Sequence, residues 1–178
     1  MTQSVDEKFK AFAVKHNFVH RIDGAETHWY FIEGAQAFES GLYIASTLSF
    51  LNGIESSIRA ILMYLDQGFE NTDLTGSVLS NGLLKRAQSV GLDVGLLAFQ
   101  HEVDFSEKLG NKRTPVELIR HRNNLCHGNV FEYIQAVPET GERIFIPEFL
   151  APVAGEIKDL SEKWSKEVAR FKSDWPEN

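Results

Sequence analysis

The stretch Arg120-His-Arg-Asn-Asn-Leu-Cys-His-Gly128 is the most informative part of this chain, and Thr114-Pro-Val-Glu117 precedes it closely. The earlier residues predict a helix start, because they offer a Thr N-cap, a Pro at the first helical position and a Glu able to complete a capping box. Gly128 predicts the end of the same helix, since glycine readily adopts the left-handed conformation that terminates helices. His127 is therefore predicted to lie in the last turn.

Arg122 is placed in the middle of the apolar face of this predicted helix. Apolar residues precede and follow it by one turn: Leu118, Ile119, Leu125 and Cys126. An arginine at such a position needs a partner, because arginine is almost never buried unpaired. Asn123 and His127 fall at the flank of the helix, about 40° apart at roughly 100° per residue. The three polar residues thus form one edge, a layout expected for a site at the rim of a helix bundle.

The longest predicted helix, from about residue 42 to residue 67, carries a carboxylate in its apolar stripe. Its members follow one another at steps of three or four residues: Ile44, Leu48, Leu51, Glu55, Ile58, Leu62 and Leu65. An unpaired buried carboxylate would cost several kcal/mol, so Glu55 needs a partner, a proton or the edge of a cleft. We expect Glu55 and Arg122 to face each other, directly or through Asn123 or water.

Composition is ordinary for one globular domain, with 178 residues of which 43% are hydrophobic. The net charge of −7 argues against broad, non-specific nucleic-acid binding. Residues 108–127 reverse this sign, with five Lys or Arg against one Glu, and leave a local basic site open. No secretory signal and no apolar run of about 20 residues is visible, which predicts a soluble, cytoplasmic protein without membrane contact.

Metal and cofactor sites are not predicted. Cys126 is the single cysteine, so neither a disulfide framework nor a multi-cysteine zinc site can form within the chain. Its place on the apolar face beside Ile119 favours a small buried hydrophobe over a thiol nucleophile. The other histidines are too scattered for a metal site by spacing: His16, His20, His28, His101 and His121.

The rest of the chain reads as one helical domain with a small β insert. Further helices are predicted from Ser4, with Val5, Phe9 and Phe12 as its apolar stripe, and at about 25–39, 78–90 and 153–175. Residues 92–111 are ambiguous and could be a packed loop with one helical turn. Two arms rich in β-branched and aromatic residues, 130–137 and 143–149, flank Pro138-Glu-Thr-Gly141 and predict a hairpin. Pro147 would limit the second arm to a sheet edge.

Arg122-Asn-Asn-Leu-Cys-His127 resembles the R-N-x-x-x-H motif of the HEPN superfamily (higher eukaryotes and prokaryotes nucleotide-binding domain), and Gly128 follows as it often does there. The earlier helix is similar to the family too, with its inward acidic residue in the pattern Ala45…Ile54-Glu55…Arg59. Residues 83–92 resemble an intervening helix of some members. The resemblance covers roughly residues 34–129 and leaves out the start of the chain and the hairpin.

The resemblance implies an all-α, HEPN-like bundle of four or five helices, with its core at about 25–129 and a hairpin insert at about 130–149 before the last helix. It also implies a metal-independent endoribonuclease, as in toxin–antitoxin and phage-defence systems, that works as a homodimer with the two motifs meeting at the interface. Cleavage through the RNA 2′-hydroxyl needs a group that titrates near neutrality and a fixed cation, roles that His127 and Arg122 would fill. Asn123 would orient either the histidine or the phosphate. Arg120 could bind phosphate or be simply solvated, and an antitoxin protein is a possible partner.

Two other interpretations stay open. The chain could be a non-catalytic HEPN domain that binds nucleotide, RNA or a partner protein. It could also be a helical interaction module in which Arg122 and Glu55 form a purely structural ion pair. His127 would then only bond the backbone carbonyls at the end of its helix, and Asn123 would be a hydrogen-bonding flank residue.

Overall fold

The computed structural model describes residues 27–65, 78–111, 113–137 and 140–174. The six α-helices of this part are α1 Thr27–Glu39, α2 Tyr43–Leu65, α3 Asn81–Ser89, α4 Phe105–Gly110, α5 Glu117–Cys126 and α6 Ala151–Ser173. Two short strands, β1 Gln135–Ala136 and β2 Arg143–Ile144, pair antiparallel between α5 and α6. This confirms the predicted helical bundle with a small hairpin before the last helix. The helix predicted from Ser4 lies outside the described residues.

Helices α1 and α2 form a tight antiparallel pair that holds part of the core. Gly41, at φ +73°, makes the turn between them. Two helix glycines let the aromatic rings of the other helix approach closely. A Cβ at Gly34 would meet the Phe50 ring at 3.0 Å, and one at Gly53 would meet the Phe31 ring at 2.8 Å. Close packing therefore explains why residues of low helix propensity stand inside these helices.

The apolar stripe of α6 packs against α2, as its periodicity predicts. Ile157, Leu160, Trp164 and Val168 are all buried. The indole Nε1 of Trp164 donates to Ser57 Oγ at 2.8 Å, so its polar group is satisfied inside the core. Trp164 is a core residue, as expected, and Trp175 lies outside the described residues.

Residues 92–111 contain more regular structure than the packed loop that the sequence suggested. A 3₁₀ helix spans Val94–Leu97 and α4 follows at Phe105–Gly110. The side chain of Asn81 fixes the connection to α5: its Nδ2 lies 2.8 Å from the carbonyl oxygens of Lys108 and Asn111 and 2.9 Å from that of Thr114. The amide of Asn81 thus links the end of α4 to the residues that precede α5.

The hairpin is smaller than predicted. Its strands are paired Gln135 with Ile144 and Ala136 with Arg143, and both are exposed. Pro147 begins a 3₁₀ helix, Pro147–Leu150, that leads directly into α6 instead of extending the second strand. Within the described residues, no helix is long and apolar enough to cross a membrane.

Candidate functional site

Helix α5 begins at Glu117, so the predicted start at Thr114 and the predicted capping box are wrong. The N-cap is Val116, whose side chain cannot cap. The backbone N–H of Glu117 instead donates to the buried carboxylate Glu102 Oε1 at 2.8 Å, which also suits the positive end of the helix dipole. The start of α5 is therefore stabilised by the carboxylate of Glu102, which is distant in the sequence, and not by a side chain of the N-cap residue.

The end of α5 is a glycine-terminated cap, as Gly128 predicts. Gly128 has φ +68°, and the N–H of Asn129 donates to the carbonyl of Asn124 at 2.8 Å in the pattern of a Schellman motif. A second bond joins the same pair, from Asn129 Nδ2 to Asn124 Oδ1 at 3.0 Å. His127 is the C-cap residue, one position beyond the last helical residue. It is exposed, and its ring makes no hydrogen bond with any described residue.

Glu55 and Arg122 lie beside each other, with Arg122 Nη2 at 4.0 Å from Glu55 Oε2. Two other groups hold Glu55 more closely. Arg59 Nη2 lies 2.7 Å from Oε1, and the backbone N–H of Leu79 donates to Oε2 at 3.0 Å. Glu55 stands at the flank of the buried face of α2, where its side chain is 13% exposed, and not in the middle of that face. The i,i+4 spacing to Arg59 is visible in the sequence and could have revealed this partner.

Arg122 therefore keeps most of its hydrogen-bonding capacity. Its side chain is 16% exposed, and a separation of 4.0 Å from Glu55 is too long for a hydrogen bond. Among the described residues its buried Nε has no hydrogen-bond partner. Glu55 is thus held more closely by Arg59 and by the backbone of Leu79 than by Arg122.

Two of the five basic residues in the segment 108–127, Lys108 and Arg120, are paired with carboxylates in the folded chain. Lys108 Nζ lies 3.1 Å from Glu117 and 3.2 Å from Asp104. Burial opposes the charge of Lys108, but its hydrogen bonds to these carboxylates outweigh burial and raise the pKa. Arg120 binds Glu117, with Nε to Oε2 at 2.9 Å, and also pairs with Glu132. Arg120 is thus paired with two carboxylates, while its side chain remains 34% exposed.

Sequence reasoning missed a second polar cluster, centred on His121. Its side chain is 5% exposed, and its Nδ1 lies 2.8 Å from the Tyr133 hydroxyl. Burial, reinforced by the charge of Arg120, lowers the pKa of His121 to about 4. Helical spacing could have found it, because His121 follows Leu118 by three residues and precedes Leu125 by four.

The remaining predicted residues of α5 fall at its exposed end. Cys126 is exposed, which corrects the expectation of a buried hydrophobe. The last turn of α5 extends past the core, so a position in register with the buried Ile119 meets solvent. Asn123 is half-buried, and its backbone carbonyl accepts the N–H of His127 at 3.0 Å. Arg122, Asn123 and His127 therefore lie in the last turn of α5 and at its C-cap, and Glu55 of α2 lies beside Arg122.

No group of three or more His, Cys, Asp or Glu in the described part of the chain is arranged to hold a metal ion. Comparison of the chain with protein-family models, with curated proteins and with solved structures finds no match in any of the three. The resemblance to the HEPN superfamily accordingly rests on the motif residues and on the patterns of the two helices that carry them.

Proposed function

We propose that this protein is a metal-independent endoribonuclease of HEPN type, with Arg122, Asn123 and His127 at its active site. The observation that carries the proposal is that Arg122 lies beside Glu55 without a hydrogen bond to it. Its guanidinium lies 4.0 Å from a carboxylate that Arg59 and Leu79 already satisfy, on the same helix end as the exposed His127. An arginine with unused donors and a solvent-accessible histidine suit RNA cleavage, because the phosphodiester presents negative charge to the arginine and the adjacent 2′-hydroxyl presents a proton to the histidine.

The reaction would be an intramolecular transesterification. The RNA 2′-oxygen forms a bond to the adjacent phosphorus, the bond from phosphorus to the 5′-oxygen breaks, and that oxygen takes up a proton. The products are a 2′,3′-cyclic phosphate and a 5′-hydroxyl. His127 moves protons at the reacting oxygens, and Arg122 stabilises the charge that develops on the phosphoryl oxygens. Residues 122 and 127 are separated by about 7.5 Å along the helix axis and by about 140° around it, so both side chains would have to converge at the end of the helix to meet one phosphate.

A second copy of the chain completes the proposal. In a homodimer with the two motifs at the interface, one His127 would act as base while the partner copy's would act as acid. The expected substrate is RNA, and the proposed setting is a toxin or phage-defence effector that an antitoxin protein restrains.

The test is cleavage of a mixed pool of structured and single-stranded RNAs by purified protein in the presence of EDTA. His127→Ala should abolish cleavage while hardly changing the melting temperature, because the ring makes no hydrogen bond within the described structure. His101→Ala is the matched control, since His101 is also exposed but belongs to another segment. Cleavage by wild type and by the control, with cyclic-phosphate ends, supports the proposal. Equal cleavage by His127→Ala contradicts it.

A second candidate is a non-catalytic domain that binds a partner protein, nucleotide or RNA. The pairing of Lys108 and Arg120 with acidic neighbours favours it, because it makes these two cations less available to the phosphates of a long nucleic acid. Absence of cleavage by a folded, dimeric wild-type protein would favour this candidate over the ribonuclease.

A further inference from the structure

We infer that Arg59 is a positioning residue that keeps Arg122 available for phosphate by occupying Glu55. The inference rests on the proposed function for its catalytic consequence, but its structural part can be tested without any RNA. It concerns a competition of two arginines for one carboxylate. Arg59 is the closer of the two: its Nη2 lies 2.7 Å from Glu55 Oε1, whereas Arg122 Nη2 lies 4.0 Å from Glu55 Oε2.

Arg59 is favoured by its place on the same helix. Glu55 and Arg59 are separated by four residues on α2, a spacing that brings their side chains together on one helix face. Arg122 approaches from α5, and it reaches only the oxygen that already accepts the N–H of Leu79. The side chains of Arg59 and Arg122 are 25% and 16% exposed, so both charges are partly removed from water. A carboxylate in such surroundings binds whichever guanidinium is nearer and better aligned.

Removal of the Arg59 guanidinium would leave Glu55 Oε1 without its cation. Arg122 is the other arginine that the structure places in an ion pair with this carboxylate. It would need to move by only about 1 Å to convert a separation of 4.0 Å into a charge-assisted hydrogen bond. The guanidinium would then be turned towards Glu55 and withdrawn from a bound phosphate. Activity would fall although Arg59 itself touches no substrate.

The test uses Arg59→Met, which removes the charge and keeps an aliphatic stem for packing, alone and combined with Glu55→Gln. A glutamine can still accept the N–H of Leu79 but cannot capture a guanidinium by charge. Arg59→Met should lower kcat/KM for RNA by about tenfold to a hundredfold, the range of one charge-assisted hydrogen bond. The double variant should recover most of that loss. Arg59→Lys keeps a cation near Glu55 and should therefore cleave RNA nearly as well as wild type.

A spectroscopic measurement separates positioning from a direct role. The ¹⁵N NMR resonance of Arg122 Nε in ligand-free protein should move in Arg59→Met and return in the double variant. Titration with inorganic phosphate should shift this resonance in wild type and in the double variant more than in Arg59→Met. Arg113→Met is the control for loss of one positive charge, because Arg113 is exposed and precedes α5.

The outcomes are distinct. An unchanged Arg122 resonance in Arg59→Met overturns the inference, whatever the activity. Loss of activity that Glu55→Gln fails to restore also overturns it, because Arg59 would then act on the substrate directly. If wild type cleaves no RNA, the proposed function fails. The ligand-free spectra of the three proteins then still decide whether Arg59 governs the position of Arg122.

Discussion

Mild acid should destabilise this fold through one buried histidine, His121. Its ring lies between those of Phe99 and Tyr133, with centroids 5.1 and 5.8 Å away, and its Nδ1 is 2.8 Å from the Tyr133 hydroxyl. Arg120 also lies close, with Nη2 at 3.4 Å from Nε2. A second positive charge at this position would be both desolvated and repelled, so the neutral imidazole is the form that the fold accepts.

The size of the effect follows from the pKa. Burial, assisted by the charges of Arg120 and His101 and opposed by that of Glu117, lowers the pKa of His121 from 6.5 to about 4. Between these values the unfolded chain binds a proton that the folded chain rejects. The stabilisation by neutral His121 is therefore complete above pH 6.5 and is lost as the pH falls towards 4. The loss amounts to about 3 kcal/mol, at roughly 1.4 kcal/mol for each pH unit.

The assay is urea unfolding of wild type and of His121→Gln at a series of pH values from 7.5 to 4. A glutamine does not titrate and can still hydrogen-bond the Tyr133 hydroxyl. The free energy of unfolding of wild type should fall about 3 kcal/mol further than that of His121→Gln over this range. His127→Gln should follow wild type, because that histidine is exposed and is not among the charges that act on His121. Parallel pH profiles of wild type and His121→Gln would refute the argument, since His121 would then bind a proton as readily in the fold as in the unfolded chain.

Two further predictions concern the core. Gly53→Ala should lower the free energy of unfolding by about 1–3 kcal/mol, because the new Cβ would lie 2.8 Å from the Phe31 ring and this overlap outweighs a helix-propensity gain of about 1 kcal/mol. Gly155→Ala is its control and should raise the free energy of unfolding by up to about 1 kcal/mol, since the nearest neighbour of the new Cβ would be 3.7 Å away. A higher melting temperature for Gly53→Ala than for Gly155→Ala would contradict the described packing of α1 on α2. Ser57→Ala should cost about 1–3 kcal/mol by leaving the Trp164 indole N–H buried without an acceptor, and an unchanged indole ¹⁵N resonance would contradict this bond.

Local patterns in the sequence were sufficient for most of the helices and for the end of α5. Apolar residues at steps of three and four predicted α2 and α6, because a helix repeats its face every 3.6 residues whatever it packs against. Gly128 predicted the turn after His127 for an equally local reason, namely its access to a positive φ. The pairing of Glu55 with Arg122 could be expected as well, since both charges interrupt apolar faces.

Tertiary structure decided which partner each of these charges obtained. The carboxylate of Glu102, instead of the predicted Thr114 side chain, accepts a backbone N–H at the start of α5. Glu132, which follows the helix in sequence, forms an ion pair with Arg120. Leu79 supplied a backbone N–H to Glu55 that no sequence pattern marks. The burial of His121 likewise depends on Tyr133. Hydrogen bonds and ion pairs act over a few ångströms in space, and only the packed chain determines which residues are that close. Sequence periodicity therefore located the polar edge of α5, while the fold determined that a carboxylate hydrogen-bonds Arg120 and that Glu55 lies too far from Arg122 to do so.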